Sequence, residues 1–360
     1  MLLNLRTRHA TITDVAEQAG VSIKTVSRVL NNEPHVNVAT KEAVNAAALK
    51  LHYVPHPSAR NLARSSSLTI GLIYGAAIDG TAAIIPHYSQ GIQAGTLEAC
   101  RRLDFGVLLL PFHRESMDLP AKIVRQARDR RVSGLLVAAP ICNLPGVLPA
   151  IRKDGLPCVC LGLNEPIPDV PTVDVNDLES ALLMTRHLLD LGHRRIAFVK
   201  GYFAARDGAE RLAGYHKAMR EAGVAVDESW VVQGDHSFES GIECGEHLLS
   251  LQARPTAVFA NNDDMAAGVM HAAYRRGMSL PDDLSVVGFD DSEIAKTIWP
   301  QLTTIRQPLV EMADAATERL VQLLRPTDES TYARSNHQQL TCDLVIRGSA
   351  VAIKPLPTTY

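Results

Sequence analysis

Apolar positions recur at helical spacing through the first fifty residues, and from Leu68 onward they gather into short β-rich runs. The front stretch divides into three helical segments with their own start and stop signals. Thr11-Ile12-Thr13-Asp14 fits a capping box, in which a threonine hydroxyl and the acidic group that follows each satisfy a free backbone N–H. Gly20 ends this first helix. Ser22 is placed to cap a second one, whose Val26, Val29 and Leu30 form an inward stripe, and Asn37 caps a third running towards Leu51. The prolines of "YVPHP", residues 53–57, break the pattern.

Beyond Leu68 the apolar runs are LTIGLIY (68–74), FGVLLLP (105–111), SGLLVAA (133–139), PCVCLGL (157–163), RIAFVKG (195–201), TAVFAN (256–261) and LSVVGFD (284–290). Amphipathic segments lie between them. Residues 177–191 are one such segment, with Leu178, Ala181, Leu182, Leu188 and Leu189 at helical spacing and Gly192 as the stop. Alternation of this kind predicts an α/β protein with parallel sheets covered by helices on both faces. Seven runs exceed one modest sheet, so two doubly wound lobes with a cleft between them are expected, with ligands at the carboxyl ends of the strands.

The net charge of −3 conceals an asymmetry. Residues 1–64 hold eight Lys/Arg against four Asp/Glu, a balance of +4, whereas the remainder holds 28 against 35, or −7. Only the front segment suits a polyanion. No apolar run approaches the roughly 20 residues of a membrane helix, and "MLLNLRTRHATITD" has too few leucines before Arg6 and Arg8 for a signal-peptide core, which places the chain in the cytoplasm. Cysteines 100, 142, 158, 160, 244 and 342 lie in apolar stretches without a CxxC pair, so buried reduced thiols are expected and no metal or cofactor is implied. Dinucleotide, Walker and GxSxG signatures are absent, and the Asp263-Asp264 and Asp290-Asp291 pairs alone do not indicate an enzyme.

A basic three-helix front end points to DNA. In a helix-turn-helix the second helix enters the major groove with its early side chains at base edges. Ile23, Lys24 and Arg28 project from one side of that helix. Lys24 and Arg28 can donate to guanine O6 and N7, and Ile23 can pack on a thymine methyl. Ser22, Thr25, Asn31, His35, Asn37 and Thr40 are short polar groups at turns and helix starts, from which phosphates are held.

"TITDVAEQAGVSIKTVSRVLNNEPHVNVATKEAV" closely resembles the DNA-binding headpiece of the lactose-repressor and galactose-repressor (LacI/GalR) family of bacterial transcription regulators. "YVPHPSARNLARSSSLTIGLI" resembles the family's hinge, and "RRVSGLLV", "LLDLGHRRIAFVKG", "ERLAGYHKAM", "NNDDMAAGVM", "DLSVVGFDD" and "PQLTTIRQP" continue the match in the family's order. The resemblance implies a helix-turn-helix headpiece at 1–54, a hinge helix and linker at 55–67, and a two-lobed effector-binding and dimerisation domain at 68–349, with a tail at 350–360. Lobe 1 is expected at about 68–174 and 305–335, and lobe 2 at about 175–304 and 336–349, like the periplasmic sugar-binding proteins. It also implies that Ala59 and Leu62 belong to a minor-groove hinge helix, Leu62 wedging a base step.

For the cleft the resemblance implies Arg211 of "ERLAGY", Asn262 and Asp263 of "NNDD", and Asp290 of "FDD" as contacts to ligand hydroxyls. His236 or Phe238 of "GDHSFES" would stack on a sugar face, and Tyr88 would act from the opening helix of the first lobe. Two departures stand out. His56 before Pro57 caps the hinge poorly, and Gly162-Leu163 replace a polar pair common in relatives, so the effector cannot be copied from any of them. Trp299 is expected at a subunit interface. With no heptad tail after "LVIRGS", the expected assembly is a homodimer on a pseudo-palindromic operator in double-stranded DNA. The expected function is repression of a carbohydrate catabolic operon in response to a saccharide, with a nucleobase or nucleoside as the alternative effector.

Overall fold

The computed structural model describes residues 10–30, 36–51, 53, 69–75, 77–79, 82–84, 87–113, 116–163, 165, 167–201, 206–325 and 336–353. The chain separates into a unit up to Leu68 and a unit from Thr69. In the first, helices α1 (Ile12–Ala19), α2 (Ile23–Leu30) and α3 (Val38–Lys50) enclose a small core of Val15, Ala16, Val26, Val29, Val44 and Ala47. The sequence-level start signals are all used. Thr11 and Asp14 form a reciprocal capping box, Gly20 turns α1 off with φ 64°, and Asn37 Oδ1 accepts from Ala39 N (3.0 Å).

The second unit holds two parallel sheets. The first comprises β1 (Thr69–Gly75), β4 (Gly106–Phe112), β5 (Gly134–Ala138), β6 (Cys158–Leu161), β7 (Thr172–Val175) and β13 (His337–Leu340), in the order β13-β7-β6-β5-β1-β4. The second comprises β8 (Ile196–Lys200), β9 (Val231–Gln233), β10 (Ala257–Ala260) and β11 (Ser285–Val287), in the order β11-β10-β8-β9. A hairpin, β2 (Ala77–Asp79) and β3 (Ala82–Ile84), follows β1, and β12 (Thr304–Arg306) pairs antiparallel with β14 (Asp343–Val345). All seven apolar runs of the sequence are strands, fully buried at β5, β6, β10 and β11, as sheets covered on both faces require.

The lobe boundaries need two corrections. Residues 336–349 do not lie together in the second lobe: β13 pairs with β7 in the first sheet, whereas β14 pairs with β12 beside the second. Residues 305 and 306, expected in the first lobe, likewise belong with the second, and the first-lobe segment resumes at helix Leu309–Leu324, which packs on helix His87–Leu103. The chain therefore crosses between sheets in three places: after β7, after β12 and after β13. Backbone pairing with β7 places β13 there; its sequence, His337-Gln-Gln-Leu340, has no apolar run to announce it.

The end of the described chain is pinned by His193, which is buried with Nδ1 on Thr256 Oγ1 (3.0 Å) and Nε2 on Val351 O (3.0 Å). Burial lowers its pKa, against the pull of the Val351 carbonyl. Because the unfolded chain then takes up the proton first, this histidine's contribution is complete above its ordinary pKa of about 6.5 and is lost as pH falls below it. His193→Gln retains a donor and an acceptor without that titration. Between pH 7.5 and 5.5 the wild-type melting temperature is expected to fall relative to the variant's; parallel curves would contradict the assignment.

Candidate functional site

The DNA-facing candidates occupy the exposed side of α2. Ile23, Lys24 and Arg28 are all exposed while Val26 and Val29 are buried in the core of the three helices. Ser22 Oγ accepts from Thr25 N (3.1 Å) and bonds to Thr25 Oγ1 (2.9 Å), fixing the start of α2. Asn37 does the same for α3, and Thr40 stands half-buried on its first turn. Asn31, His35, Ala59 and Leu62 lie outside the described residues.

In the second unit a polar cluster forms at the carboxyl ends of β8, β10 and β11. Arg211 on helix Arg206–Glu221 is buried, its side chain 5% exposed; Nε donates to Asp177 Oδ1 (2.7 Å) and Nη1 donates to Asn261 O (2.6 Å). Its guanidinium lies 3.5 Å from the centre of the Phe289 ring, a cation–π contact that a less planar cation would make poorly. Asp290 follows β11 with φ 120° and accepts from Gln307 Nε2 (2.6 Å). Burial holds its carboxyl well above the ordinary carboxylate range; Arg211 opposes this and Asp263 reinforces it. Asp291, at φ 56°, is gripped by Arg306 and Arg347; burial raises its carboxyl, but the hydrogen bonds and charges of the two arginines together hold it below the usual range. Positive φ at two successive aspartates costs about 1–3 kcal/mol each and persists only where the surroundings enforce it.

His236 enters the same cluster. With φ 73°, it presents its ring so that Asn261 Nδ2 donates to Nε2 (2.9 Å). Asn262 stands beside it but is occupied in the fold: its Oδ1 caps helix Asp263–Arg275 by accepting from Met265 N (3.0 Å), and its Nδ2 donates to His236 O (3.0 Å). Tyr88 sits on the first lobe at the end of β6, where its hydroxyl donates to Leu161 O (3.4 Å).

Two of the expected contacts have their side chains engaged within the fold. Asp263 is turned inward, 1% exposed, and accepts from Thr304 Oγ1 (2.6 Å), Ser292 N (2.7 Å) and Ser292 Oγ (3.0 Å), so its carboxylate is used in tying β12 and the loop after Asp291 to the helix. Burial pushes its carboxyl up to about 7 against those donors. Phe238 packs edge-on against His271 (5.8 Å between centres) because it opens helix Phe238–Ser250, which lies along helix Asp263–Arg275.

Sequence reasoning missed Asp177, Asn261 and Gln307. Asp177 and Gln307 stand just past β7 and β12, in chain crossings between the lobes, and Asn261 stands just past β10 at the end of an apolar run; only tertiary structure joins them to Arg211 and Asp290. Cys342, in the third crossing, is lifted to about 11 by burial near the same groups. A buried guanidinium, amides and carboxyls offering donors and acceptors together can satisfy a polyhydroxylated molecule. Among the described residues no His/Cys/Asp/Glu group suits a metal ion, and no helix is long and apolar enough to cross a membrane.

Residues 11–56 match the model described as bacterial regulatory proteins, lacI family, and residues 185–350 match that of a periplasmic binding protein-like domain. The ribose operon repressor of Escherichia coli K12 is 34% identical over 342 residues, covering 95% of this chain and 100% of that protein. The HTH-type transcriptional repressor PurR of Photobacterium profundum is 32% identical over 344 residues, covering 94% and 98%. Among solved structures, the lac repressor dimer bound to operator and the anti-inducer ONPF superposes with a TM-score of 0.81 at 30% identity, covering 96% of this chain and all of that one.

Proposed function

The chain belongs to the lacI family of bacterial regulatory proteins, a DNA-binding transcriptional repressor with a ligand-binding domain and not an enzyme, and from that premise we propose that it acts as a cytoplasmic homodimer on a pseudo-palindromic operator under the control of a neutral, hydroxylated effector. The observation that carries the choice of effector is the Arg211–Asp177 pair. The guanidinium charge is already met inside the fold, so the cluster rewards hydrogen bonding more than negative charge. A saccharide suits this chemistry first and a nucleoside second. The ribose operon repressor points the same way by name.

On this reading Ile23, Lys24 and Arg28 read bases, while Ser22, Thr25, Asn31, His35, Asn37 and Thr40 set register on phosphates. Ala59 and Leu62 enter the minor groove as part of a paired hinge. Arg211, Asp290, His236 and Tyr88 surround the effector, with Asn262 bracing His236 and Asp177 and Gln307 carrying the signal to the crossings between lobes. Two-fold operators require two copies. Trp299, 83% exposed in the single chain, is the aromatic that a second copy would cover.

A coupling free energy of about 1–3 kcal/mol between effector and DNA sites is enough to change operator occupancy by one to two powers of ten. Ribose, glucose and adenosine, each added to the protein on a duplex selected from a random pool, test the effector class. Release or tightening by a sugar is the expected result. A response to adenosine alone moves the effector to the second class, and indifference to all three contradicts both.

A further inference from the structure

The cluster around Arg211 contains a polar atom that no other described residue engages. Asn261 is fully buried just past β10, where the strand order of the second sheet reverses between β8 and β10, the point at which doubly wound sheets receive ligands. Its carbonyl is held by Arg211 Nη1 (2.6 Å) and its Nδ2 by His236 Nε2 (2.9 Å), yet its Oδ1 has no hydrogen-bond partner among the described residues. Turning the amide would place Oδ1 on His236 Nε2 only by leaving Nδ2 unpaired in its stead, so one end of the amide is unused in either orientation. Buried acceptors are satisfied almost everywhere in native proteins, because leaving one unpaired forfeits its hydration for nothing.

The backbone around this amide is arranged to keep it there. A Cβ on Gly201, at the end of β8, would overlap both the His236 ring and the Asn261 amide, so the close approach depends on glycine. His236 meanwhile holds a left-handed conformation that favours glycine. Strain and an unsatisfied acceptor at one spot are the usual mark of a site shaped for something absent from the resting chain.

We propose that Asn261 is a specificity-determining contact of the effector site, its Oδ1 accepting a hydrogen bond from a hydroxyl or N–H of the effector, with Arg211 and His236 as the residues that position it. The assignment rests on the cleft being the effector site. A molecule that offers only an acceptor or an ether at that point would leave the oxygen unpaired, and sites built around such a bond discriminate strongly against analogues lacking it.

The adjacent asparagines give opposite expectations, which makes the test internal. In the ligand-free full chain, Asn262→Ala removes a helix cap and lowers the melting temperature by about 2–5 °C, whereas Asn261→Ala exchanges one lost bond for one relieved oxygen and stays within about 2 °C of wild type. A drop at position 261 as large as at 262 shows a structural residue and overturns the proposal. Titration with ribose, glucose and adenosine then provides the second arm. Whichever of the three raises the wild-type melting temperature binds Asn261→Ala at least about tenfold more weakly, and undiminished affinity overturns the proposal. If none of them moves the wild type, the effector class proposed above fails, and the ligand-free comparison decides the role of Asn261 on its own.

Discussion

Replacement of Arg211 by methionine is expected to abolish the effector response and to cost the second unit about 3–5 kcal/mol, the usual consequence of removing one partner of a buried ion pair. The guanidinium engages Asp177, the Asn261 carbonyl and the Phe289 ring together, and methionine fills the stem while supplying none of those donors. Most of the loss arises from the Asp177 carboxylate losing the guanidinium at 13% exposure, so adding Asp177→Asn to the variant is expected to restore much of the stability but none of the response. Urea unfolding and effector titration read the two effects separately. Operator affinity without effector stays close to wild type, because the headpiece is untouched. A surviving response would remove Arg211 from the effector site.

Arg28→Ala is the second large effect, and it falls on the other unit. Arg28 is exposed on α2 while Val26 and Val29 hold that helix to the core, so truncation leaves the fold intact. If Arg28 reads a guanine, its loss costs about 1–3 kcal/mol of discrimination per subunit on the preferred duplex. Weak, salt-sensitive binding to unrelated duplexes is retained, since that component comes from phosphate neutralisation. Fluorescence anisotropy on the preferred and a scrambled duplex, across a salt series, distinguishes the two. An equal loss on both would make Arg28 a phosphate contact.

Much of this organisation is legible in the chain because burial on both faces leaves a simple trace. Strands such as β5 and β10 are buried at every position and read as unbroken apolar runs. The caps at Thr11, Ser22 and Asn37 act between near neighbours, so local sequence suffices to find them. Edge and crossing strands leave no such trace. β13 carries polar residues and owes its place to a backbone ladder with β7, while β9 and β12 are three residues each.

The site divides in the same way. Arg211, Asp290 and His236 were found through family motifs and do converge, but the same motifs named Asp263, whose position after an asparagine cap turns it into the fold, and Phe238, which faces a neighbouring helix. Helix-start chemistry in "NNDD" was itself readable: asparagine followed by acidic residues is a preferred N-terminus. Asn261 and Gln307 lie inside the motifs "NNDDMAAGVM" and "PQLTTIRQP" and Asp177 in none, but nothing local marks the role of any of the three, because those roles exist only once three chain crossings and two strand ends meet.

The central claim is that the basic front end recognises one duplex sequence as a symmetric pair. Selection of the purified full chain against a random duplex pool, at fixed salt with excess competitor, measures this directly. The account predicts enrichment of a sequence with two-fold symmetry, bound at least about a thousandfold more tightly than the competitor. Equal retention of all duplexes after repeated rounds would contradict it.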